Sequence, residues 1–212
     1  THLLSQIKLL APCSPGKIVA IAMNYHSHLG EKNAPLVPEP FFKTPSSVIN
    51  PMDEIIIPRE AVKVQEEAEL SVVIGHRCKR VTKNNALDYV LGYTCGNDVS
   101  ERNWQSNDVQ WWRGKSSDTF APLGPFIVTD LDPGNLRISG RIGNRVVQDS
   151  NTSQMIHDVP TIIEFISRVV TLEPGDVIMT GTPGEPQDIN PGDIVEIEIE
   201  GIGTLKNPIR AE

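Results

Sequence analysis

Glycine and proline interrupt this chain so often that few segments are long enough for an extended helix. The 212 residues include 16 glycines and 17 prolines, and the apolar residues fall in short runs between them. Both residue types end regular elements, and short apolar runs between turns are typical of β-strands. No internal repeat or low-complexity block is visible. The spacing therefore predicts a β-rich domain with many strands and turns.

Individual strands and hairpins are predicted where apolar residues cluster or alternate between turn residues. The runs from Lys17 to Met23 (KIVAIAM) and from Glu69 to Ile74 are typical of buried strands. The segment RISGRIGNRVVQ contains Gly143-Asn144 between two β-prone arms, and VEIEIEGIGTLKN turns at Glu200-Gly201. Each of these two segments predicts a β-hairpin.

Helix signals are few. The segment DVPTIIEFISRVV has Asp158 as a candidate N-cap. Helical spacing places four apolar residues of this segment on one face: Ile162, Phe165, Ile166 and Val169. A weaker helix is predicted from Asn84 to Leu91. The proline-rich stretch EKNAPLVPEPFF, Glu31 to Phe42, predicts an ordered or semi-flexible loop.

Length and charge limit the class of protein. No boundary between domains is visible, so residues 1–212 are expected to form a single domain, with residues 1–16 interpreted as a remnant of an N-terminal segment because the first residue is Thr1. The net charge of -8 argues against nucleic-acid partners and against an anionic membrane surface. No apolar run is long enough to span a bilayer, and no signal-peptide pattern is present.

The cysteine pattern suggests a reducing compartment. Cys13, Cys78 and Cys95 are odd in number and form no close pair. This pattern favours reduced thiols, most simply as buried structural residues. We therefore expect a cytoplasmic protein.

The segment VQEEAELSVVIG, Val64 to Gly75, places three glutamates at the start of a strand-like run. In a strand, Glu67 and Glu69 point to the same face and Glu66 to the other. Two carboxylates on one face can chelate a divalent cation, which removes their mutual repulsion and the cost of burying them. All-oxygen ligands would suit Mg²⁺, Mn²⁺ or Ca²⁺ better than zinc. The alternative is a solvated strand end, since short acidic clusters are common on surfaces.

A third carboxylate follows another β-prone run. In GYTCGNDVSERN, Asp98 lies where a strand is expected to open into a loop, a position that often carries site residues. A lone aspartate also commonly caps a turn. Arg102 and Gln105 can present fixed donors to an anionic substrate or can simply face water.

The segment MNYHSHLGEKN holds a candidate general base. His28 and Glu31 are three residues apart, so one helical turn would bring imidazole and carboxylate together. The carboxylate would orient the ring while the histidine accepts a proton from water. A surface pair is the alternative. A zinc site at His26 and His28 is a weaker hypothesis, because no further ligand has matching spacing.

Two loop segments can supply further groups. WWRGKSSDTF contains Gly-Lys-Ser, but Val109 stands where a phosphate-binding loop needs glycine, so nucleotide binding is not supported. Lys115 can still bring positive charge to an oxyanion or enolate, although most lysines are solvated. Gly181 and Thr182 leave a predicted strand where bare backbone and a hydroxyl can approach a ligand closely, or simply form a turn.

Taken in order, these segments match one family. The motifs are NYHSH, FFKTPSSVI, EAELSVVIG, GYTCGNDVSERNWQ, GKSSDTFAPLGP, SNTSQMI, LEPGDVIMTGTP and GDIVEIEIEGIG. From about Lys17 to Ile209 the chain resembles the fumarylacetoacetate hydrolase superfamily, specifically the catalytic domain of single-domain acylpyruvases and 2,4-diketo-3-deoxy sugar-acid hydrolases. The resemblance implies a β-rich α+β fold, a mixed β-sandwich roll, that is usually dimeric.

The resemblance also implies a site for Mg²⁺ or Mn²⁺. Its metal ligands fall on Glu67, Glu69 and Asp98, its histidine and glutamate pair on His28 and Glu31 in a lid segment, and its lysine on Lys115. Substrate-side positions of the family fall on Arg102 and Gln105, and its Gly-Thr loop on Gly181 and Thr182.

The activity implied by the resemblance is metal-dependent hydrolysis of a C–C bond in a 2,4-diketo acid. His28 would activate water, and the metal and Lys115 would stabilise the enolate that leaves. Decarboxylation or tautomerisation of oxaloacetate or a related 2-oxo acid is the alternative, because it uses the same enolate. A catalytically silent ligand-binding protein is the alternative of another class.

The sequence departs from the family pattern at several places. Ser27 replaces the usual Asp before the motif histidine, and Glu101 and Asn103 flank the motif arginine. After GTP the chain continues as GEPQDINPGD, and Glu185 either adds negative charge at the pocket rim or faces solvent. Substrate identity is the inference that these changes affect most.

Overall fold

Strands dominate the computed structural model, which describes residue 3 and residues 6–212. The strands are β1 Ile18–Ala22, β2 Glu39–Lys43, β3 Val48–Ile49, β4 Ile55–Ile57, β5 Val64–Gln65, β6 Ala68–Ile74, β7 Val90–Asn97, β8 Ser100–Glu101, β9 Ala121–Val128, β10 Arg137–Ile142, β11 Arg145–Asn151, β12 Val177–Met179, β13 Ile194–Ile199 and β14 Gly203–Ala211. The α-helices are α1 Arg102–Asn107, α2 Trp112–Ser116 and α3 Val159–Ser167, and short 3-10 helices include His26–His28 and Lys83–Tyr89.

Two mixed sheets pack face to face. The larger sheet has the order β2-β1-β12-β6-β7-β9-β3 and the smaller the order β11-β10-β13-β14-β4, while β5 and β8 form a separate pair. The main core lies between them and includes Leu70 and Val72 of β6 and Ile138, Ile197 and Leu205 of the smaller sheet. This arrangement confirms the β-rich α+β class.

The second face of the larger sheet is also closed to solvent. A second cluster, Ile18, Ala20, Val73, Ala121, Leu123, Val177 and Met179, is buried there, with Ala11 and Cys13 packed against it. Because the central strands are buried on both faces, they are near-continuous apolar runs in the sequence. This is why β1 and β6 could be predicted from composition.

Both predicted hairpins are present. β10 and β11 pair in antiparallel register around Gly143, which has the positive φ of 57° that this turn requires. β13 and β14 pair around the turn at Glu200-Gly201. Helix α3 is also confirmed, and the Asp158 side chain accepts a hydrogen bond from the Thr161 N–H. The predicted apolar face of α3 is wrong at one end, because the helix stops at Ser167 and leaves Val169 77% exposed.

Three other local predictions need correction. Val64 to Gly75 is not one strand: β5 ends at Gln65 and β6 starts at Ala68. The weaker helix is a 3-10 helix, Lys83–Tyr89, and its predicted last residues belong to β7. The proline-rich loop ends earlier than predicted, since Glu39–Lys43 is β2. Pro40 is tolerated there because β2 is an edge strand.

None of the helices described is long and apolar enough to cross a membrane. Cys13, Cys78 and Cys95 are free, and the last two are buried. A cytoplasmic location stays a prediction.

Candidate active site

Three carboxylates converge beside the junction of β6 and β7. Ala68 pairs with Asn97 and Glu69 with Gly96, so the start of β6 lies next to the end of β7. The Asp98 N–H then donates to the Glu67 carbonyl oxygen at 3.0 Å. Carboxylate oxygens of Glu67, Glu69 and Asp98 lie within 4.8 Å of one another, and all three residues are buried. The solvated strand end is therefore excluded for Glu67 and Glu69.

Two buried lysines are inserted into this cluster. Lys115 of α2 donates from Nζ to Glu67 Oε2 at 2.7 Å and to Asp98 Oδ2 at 2.6 Å. Lys43 at the end of β2 donates from Nζ to Asp98 Oδ1 at 2.6 Å and to the Lys115 carbonyl oxygen. The sequence analysis identified Lys115 and missed Lys43. The signal for Lys43 is a lysine that ends an apolar strand inside the motif FFKTPSSVI.

Arg102 closes the other side of Glu67. It donates from Nη2 to Glu67 Oε1 at 2.6 Å, from Nη1 to Gln105 Oε1 at 2.9 Å and from Nε to Gln65 Oε1 at 2.7 Å. Arg102 is the first residue of α1, and Glu101 is the N-cap of this helix. The Glu101 Oε2 accepts a hydrogen bond from the Trp104 N–H at 2.5 Å. Glu101, one of the departures from the family pattern, is thus a buried helix cap.

The electrostatics of the three carboxylates differ. Burial alone would raise the pKa of Glu67, but the charges of Arg102 and Lys115 outweigh burial and hold that pKa below its ordinary value. The pKa of Glu69 is raised well above its ordinary value by burial and by the charges of Asp98 and Glu67. Burial also disfavours the charged form of Lys43 and lowers its pKa, although the nearby charge of Asp98 acts to raise it. Glu69 is therefore the carboxylate whose charge the protein leaves uncompensated.

The surroundings of Glu69 indicate whether a divalent cation fits the three-carboxylate cluster. Among the residues described, Glu69 accepts a hydrogen bond from the Gly181 N–H at 2.7 Å and has no ion-pair partner. A divalent cation bound by Glu67, Glu69 and Asp98 would remove the free-energy cost of burying the Glu69 charge. Three carboxylates suit a hard cation such as Mg²⁺ or Mn²⁺. The donor set fits such an ion. In the described part of the chain, the histidines at 26 and 28 belong to no comparable ligand group.

His28 faces the same cavity but is not joined to Glu31. Its Nδ1 lies 2.7 Å from the Gly184 carbonyl oxygen, and Ser27 Oγ accepts from the Gly184 N–H at 3.0 Å. The 3-10 helix ends at His28, and Glu31 lies exposed beyond it without a hydrogen bond or ion pair to the ring in the structure as described. The predicted contact between His28 and Glu31 is therefore not formed among the residues described, and a catalytic role for either residue stays a prediction.

The Gly181-Thr182 loop is fixed by a residue that the sequence analysis missed. Gln148 of β11 donates from Nε2 to Thr182 Oγ1 at 2.8 Å and also to the Pro183 carbonyl oxygen. Its Oε1 accepts from the N–H of Ala68, which lies between Glu67 and Glu69. Gln148 therefore connects the Gly181-Thr182 loop to the backbone between Glu67 and Glu69. In the sequence Gln148 is the last residue of the predicted hairpin segment RISGRIGNRVVQ and lies two residues before the motif SNTSQMI.

A cavity of about 550 Å³ connects these groups. Phe41 and Trp111 form an aromatic wall, with ring centroids 5.3 Å apart and the Lys115 Nζ 5.0 Å from the Phe41 ring. Other lining residues include His28, Lys32, Lys63, Glu67, Glu69, Asp98, Arg102, Gln105, Lys115 and Thr182. Glu185 is exposed and does not line the cavity, which favours its solvent-facing alternative.

Most of this chain matches a known protein family. The fumarylacetoacetate (FAA) hydrolase C-terminal family matches residues 17–210. The mitochondrial oxaloacetate tautomerase fahd2 of Xenopus laevis is 45% identical over 225 residues, covering 98% of this chain and 70% of that protein.

Two solved structures show the same fold. A 2-hydroxyhepta-2,4-diene-1,7-dioate isomerase from Mycobacterium marinum superposes with a TM-score of 0.93 at 46% identity, covering 99% of this chain and 80% of that one. A 5-carboxymethyl-2-hydroxymuconate delta-isomerase from Mycobacterium smegmatis gives a TM-score of 0.94 at 45% identity, covering 100% and 86%. With the family match and the buried site, these findings identify the chain as an enzyme of the fumarylacetoacetate hydrolase family.

Proposed function

We propose that this chain is a divalent-metal-dependent enzyme that interconverts the keto and enol forms of a 2-oxo acid by moving a proton at C3. The observation that carries the proposal is the buried Glu69 carboxylate, which has no ion-pair partner among the residues described and lines the same cavity as His28. The relatives named as an oxaloacetate tautomerase and as diene-dioate and muconate isomerases support it, because those names describe proton shifts along a carbon chain.

The carboxylate cluster would hold the cation. Mg²⁺ or Mn²⁺ on Glu67, Glu69 and Asp98 would supply positive charge that orients a 2-oxo carboxylate and favours its enolate. Lys115 lies within hydrogen-bond distance of Glu67 and Asp98 and would add a second positive charge beside the enolate oxygen.

His28 is the candidate base. A carbonyl oxygen only accepts hydrogen bonds, so the short contact to Gly184 assigns the ring proton to Nδ1. In the neutral ring Nε2 then carries a lone pair that can accept a proton from C3 of the keto form. The protonated ring or water would then give a proton to the C2 oxygen to form the enol, and the reverse reaction would return a proton to C3. The Gly184 carbonyl would then provide the ring orientation that Glu31 was expected to provide.

The remaining polar groups would orient the substrate. Thr182 Oγ1 accepts from Gln148, so its own proton is free to be donated into the cavity. Arg102 has three N–H groups committed to Glu67, Gln65 and Gln105. We therefore assign Arg102 mainly to holding Glu67 and Gln105 in place, with Gln105 on the substrate side.

Hydrolysis of a C–C bond in a 2,4-diketo acid is the second candidate. The cavity volume of about 550 Å³ favours it, because this volume leaves room for an acyl group beyond a four-carbon acid. The same base would then activate water instead of removing the C3 proton.

The two candidates are separated by an NMR time course with Mg²⁺, run with oxaloacetate and with an acylpyruvate. Faster keto–enol exchange of oxaloacetate above the metal-only background, abolished by chelator, supports the tautomerase. Pyruvate and a carboxylic acid released from the acylpyruvate would support the hydrolase, and pyruvate released from oxaloacetate would indicate decarboxylation.

A matched pair of variants tests the base. We expect His28→Gln to lose on the order of 10²-fold or more in rate, since general-base catalysis typically contributes that much. His26→Gln changes an exposed histidine two residues away that does not line the cavity, so it should keep its rate. Equal rates for both variants would contradict the assignment.

Dimerisation, which the resemblance implies, stays a proposal. The chain has a mass of 23.3 kDa, so light scattering after size-exclusion chromatography would separate a monomer from a species of twice that mass.

A further inference from the structure

A buried polar side chain reaches the active site from the smaller sheet. Gln148 is the one buried residue of β11, with an exposed fraction of 3%. An apolar side chain would fill such a position at a lower cost in free energy, because each polar group of a buried amide needs a hydrogen-bond partner. Packing alone therefore does not explain a glutamine here.

Two features of the hairpin β10–β11 give the Gln148 side chain its direction and its space. The pairing register shifts between Gly140 and Arg141, so that Val147 is an extra residue beside Gln148. A β-bulge of this kind redirects the neighbouring side chain. Gly140 pairs with Gln148, and a Cβ at Gly140 would lie 3.0 Å from Gln148 Oε1. Glycine at position 140 therefore leaves room for the amide.

The orientation of the Gln148 amide is fixed at both ends. Its Oε1 accepts from the Ala68 N–H at 2.9 Å, and a backbone N–H can only donate. Its Nε2 donates to the Pro183 carbonyl oxygen, which can only accept. The other proton of Nε2 is then donated to Thr182 Oγ1 at 2.8 Å. Thr182 is an acceptor in this contact, so its own hydroxyl proton points elsewhere.

The loop held by Gln148 contacts both the carboxylate cluster and the cavity. The Gly181 N–H donates to Glu69 Oε2 at 2.7 Å. Thr182 is 3% exposed and lines the cavity, and none of the hydrogen bonds among the described residues uses its hydroxyl proton. A buried donor without an acceptor is costly, so a ligand oxygen in the cavity is its natural partner.

From these contacts we propose that Gln148 is a positioning residue, which orients the Thr182 hydroxyl so that it donates to an oxygen of the bound 2-oxo acid. Gln148 is not among the residues that line the cavity, and it acts through Thr182. The inference rests on the proposed function, because it needs a 2-oxo acid in the cavity.

A double-mutant cycle on ligand binding tests this role. Pyruvate is titrated into the full chain with saturating Mg²⁺, and its affinity is measured by isothermal titration calorimetry, which needs no turnover. Gln148→Met removes the amide and keeps the length of the side chain, and Thr182→Val removes the hydroxyl and keeps its shape. Each variant should bind pyruvate about tenfold more weakly, the contribution of one hydrogen bond to a charged ligand. The double variant should lose no more than one single variant does, because both changes remove the same hydrogen bond.

Further variants separate orientation of the hydroxyl from packing. Thr182→Ser keeps a hydroxyl that Gln148 can orient and should retain most of the affinity for pyruvate. Gln148→Asn keeps a buried amide but is one methylene too short to reach Thr182, so it should weaken binding as Gln148→Met does. Gln154→Met makes the same chemical change as Gln148→Met at an exposed glutamine that does not line the cavity, and it should leave the affinity unchanged.

The outcomes separate the two proposals. Unchanged pyruvate affinity in Gln148→Met and Gln148→Asn would overturn the positioning role alone, provided the unmodified chain binds pyruvate in a Mg²⁺-dependent way. Losses in Gln148→Met and Thr182→Val that multiply in the double variant would overturn it as well, because the two residues would then act independently. If the unmodified chain does not bind pyruvate with Mg²⁺, the proposed function fails and the positioning role fails with it.

Discussion

Two clusters of charged side chains in this molecule have similar contacts and opposite surroundings. In the active-site cluster, Lys115 lies 2.6 and 2.7 Å from Asp98 and Glu67, and all three side chains are at most 5% exposed. On the smaller sheet, Arg141 and Lys206 lie 3.0 and 3.1 Å from Glu196, with side chains 20–40% exposed. Distance alone therefore says little about what each cluster does.

The difference lies in the cost of removing charge from water. Exposed ion pairs contribute little to stability because water already solvates both partners. Buried charges lose that solvation, and their mutual attraction often fails to exceed the loss. A chain that buries three carboxylates, Lys43 and Lys115 together gains little stability from doing so. The active-site cluster is more simply explained by catalysis.

The largest expected effect comes from breaking the buried cluster. Lys115→Met should lower the free energy of unfolding by about 3 kcal/mol, at the lower end of the cost of removing one partner of a buried pair, because Arg102 and Lys43 remain. Urea denaturation with chelator present measures it. A loss below 1 kcal/mol would mean that water reaches the active-site cluster. Burial would then not distinguish it from the cluster on the smaller sheet.

Divalent ions should sharpen the comparison. Mg²⁺ at 100 times its Kd should stabilise the folded chain by about 2.7 kcal/mol through binding linkage. Glu69→Gln should abolish most of this gain, because it removes the buried carboxylate that has no ion-pair partner among the residues described. Thermal unfolding with Mg²⁺ and with chelator measures both. A gain that persists after Glu69→Gln would place the ion elsewhere.

At Glu66 the free-energy cost of burying a charged carboxylate depends on pH. Glu66 is fully buried, its Oε2 has no hydrogen-bond partner in the described structure, and burial raises its pKa from 4.5 to about 8. Between these pH values the folded chain keeps a proton that the unfolded chain has released, so stability falls as the pH rises.

Replacing Glu66 should flatten that decline. Glu66→Gln should recover on the order of 2 kcal/mol at pH 8, part of the 1.36 kcal/mol that each unit of pKa shift represents. Near pH 5 the recovery should be much smaller. Unfolding by urea at pH 5 and pH 8 without divalent ions checks this. Parallel pH profiles for the two proteins would contradict it.

The smallest change in the free energy of unfolding is expected for the ion pairs on the smaller sheet. Lys206→Met makes the same chemical change as Lys115→Met, but Glu196 keeps Arg141 as a partner. The free energy of unfolding should change by less than about 1 kcal/mol, and the difference should shrink in high salt. If Lys206→Met were as costly as Lys115→Met, burial would not be the deciding variable.

Local sequence signals predicted the elements whose stability comes from near neighbours. Both hairpins formed because turn residues lie between β-prone arms, and α3 begins where Asp158 caps it. Glu67 and Glu69 were identified from sequence by strand alternation and Asp98 by its position after a β-prone run, and the resemblance then assigned all three to one metal site. Their convergence depends on the pairing of β6 with β7, which no local pattern shows.

Other features depend on contacts between distant segments. Lys43 lies 55 residues from Asp98 in the chain, and Gln148 lies 80 residues from Ala68. Pro40 could enter a strand because β2 lies at the edge of the larger sheet. Glu31 stays apart from His28 because the 3-10 helix ends first and the ring binds Gly184 instead.

The sequence by itself determined the β-rich class, the hairpins, helix α3 and most of the candidate site residues, though not Lys43 or Gln148, because alternation, turns and caps act over a few residues. Only the tertiary structure decided which charges are buried and which lysines bind the carboxylates. Burial and charge pairing arise between segments far apart in the chain, and the free energy of a charged group depends on the water it loses there.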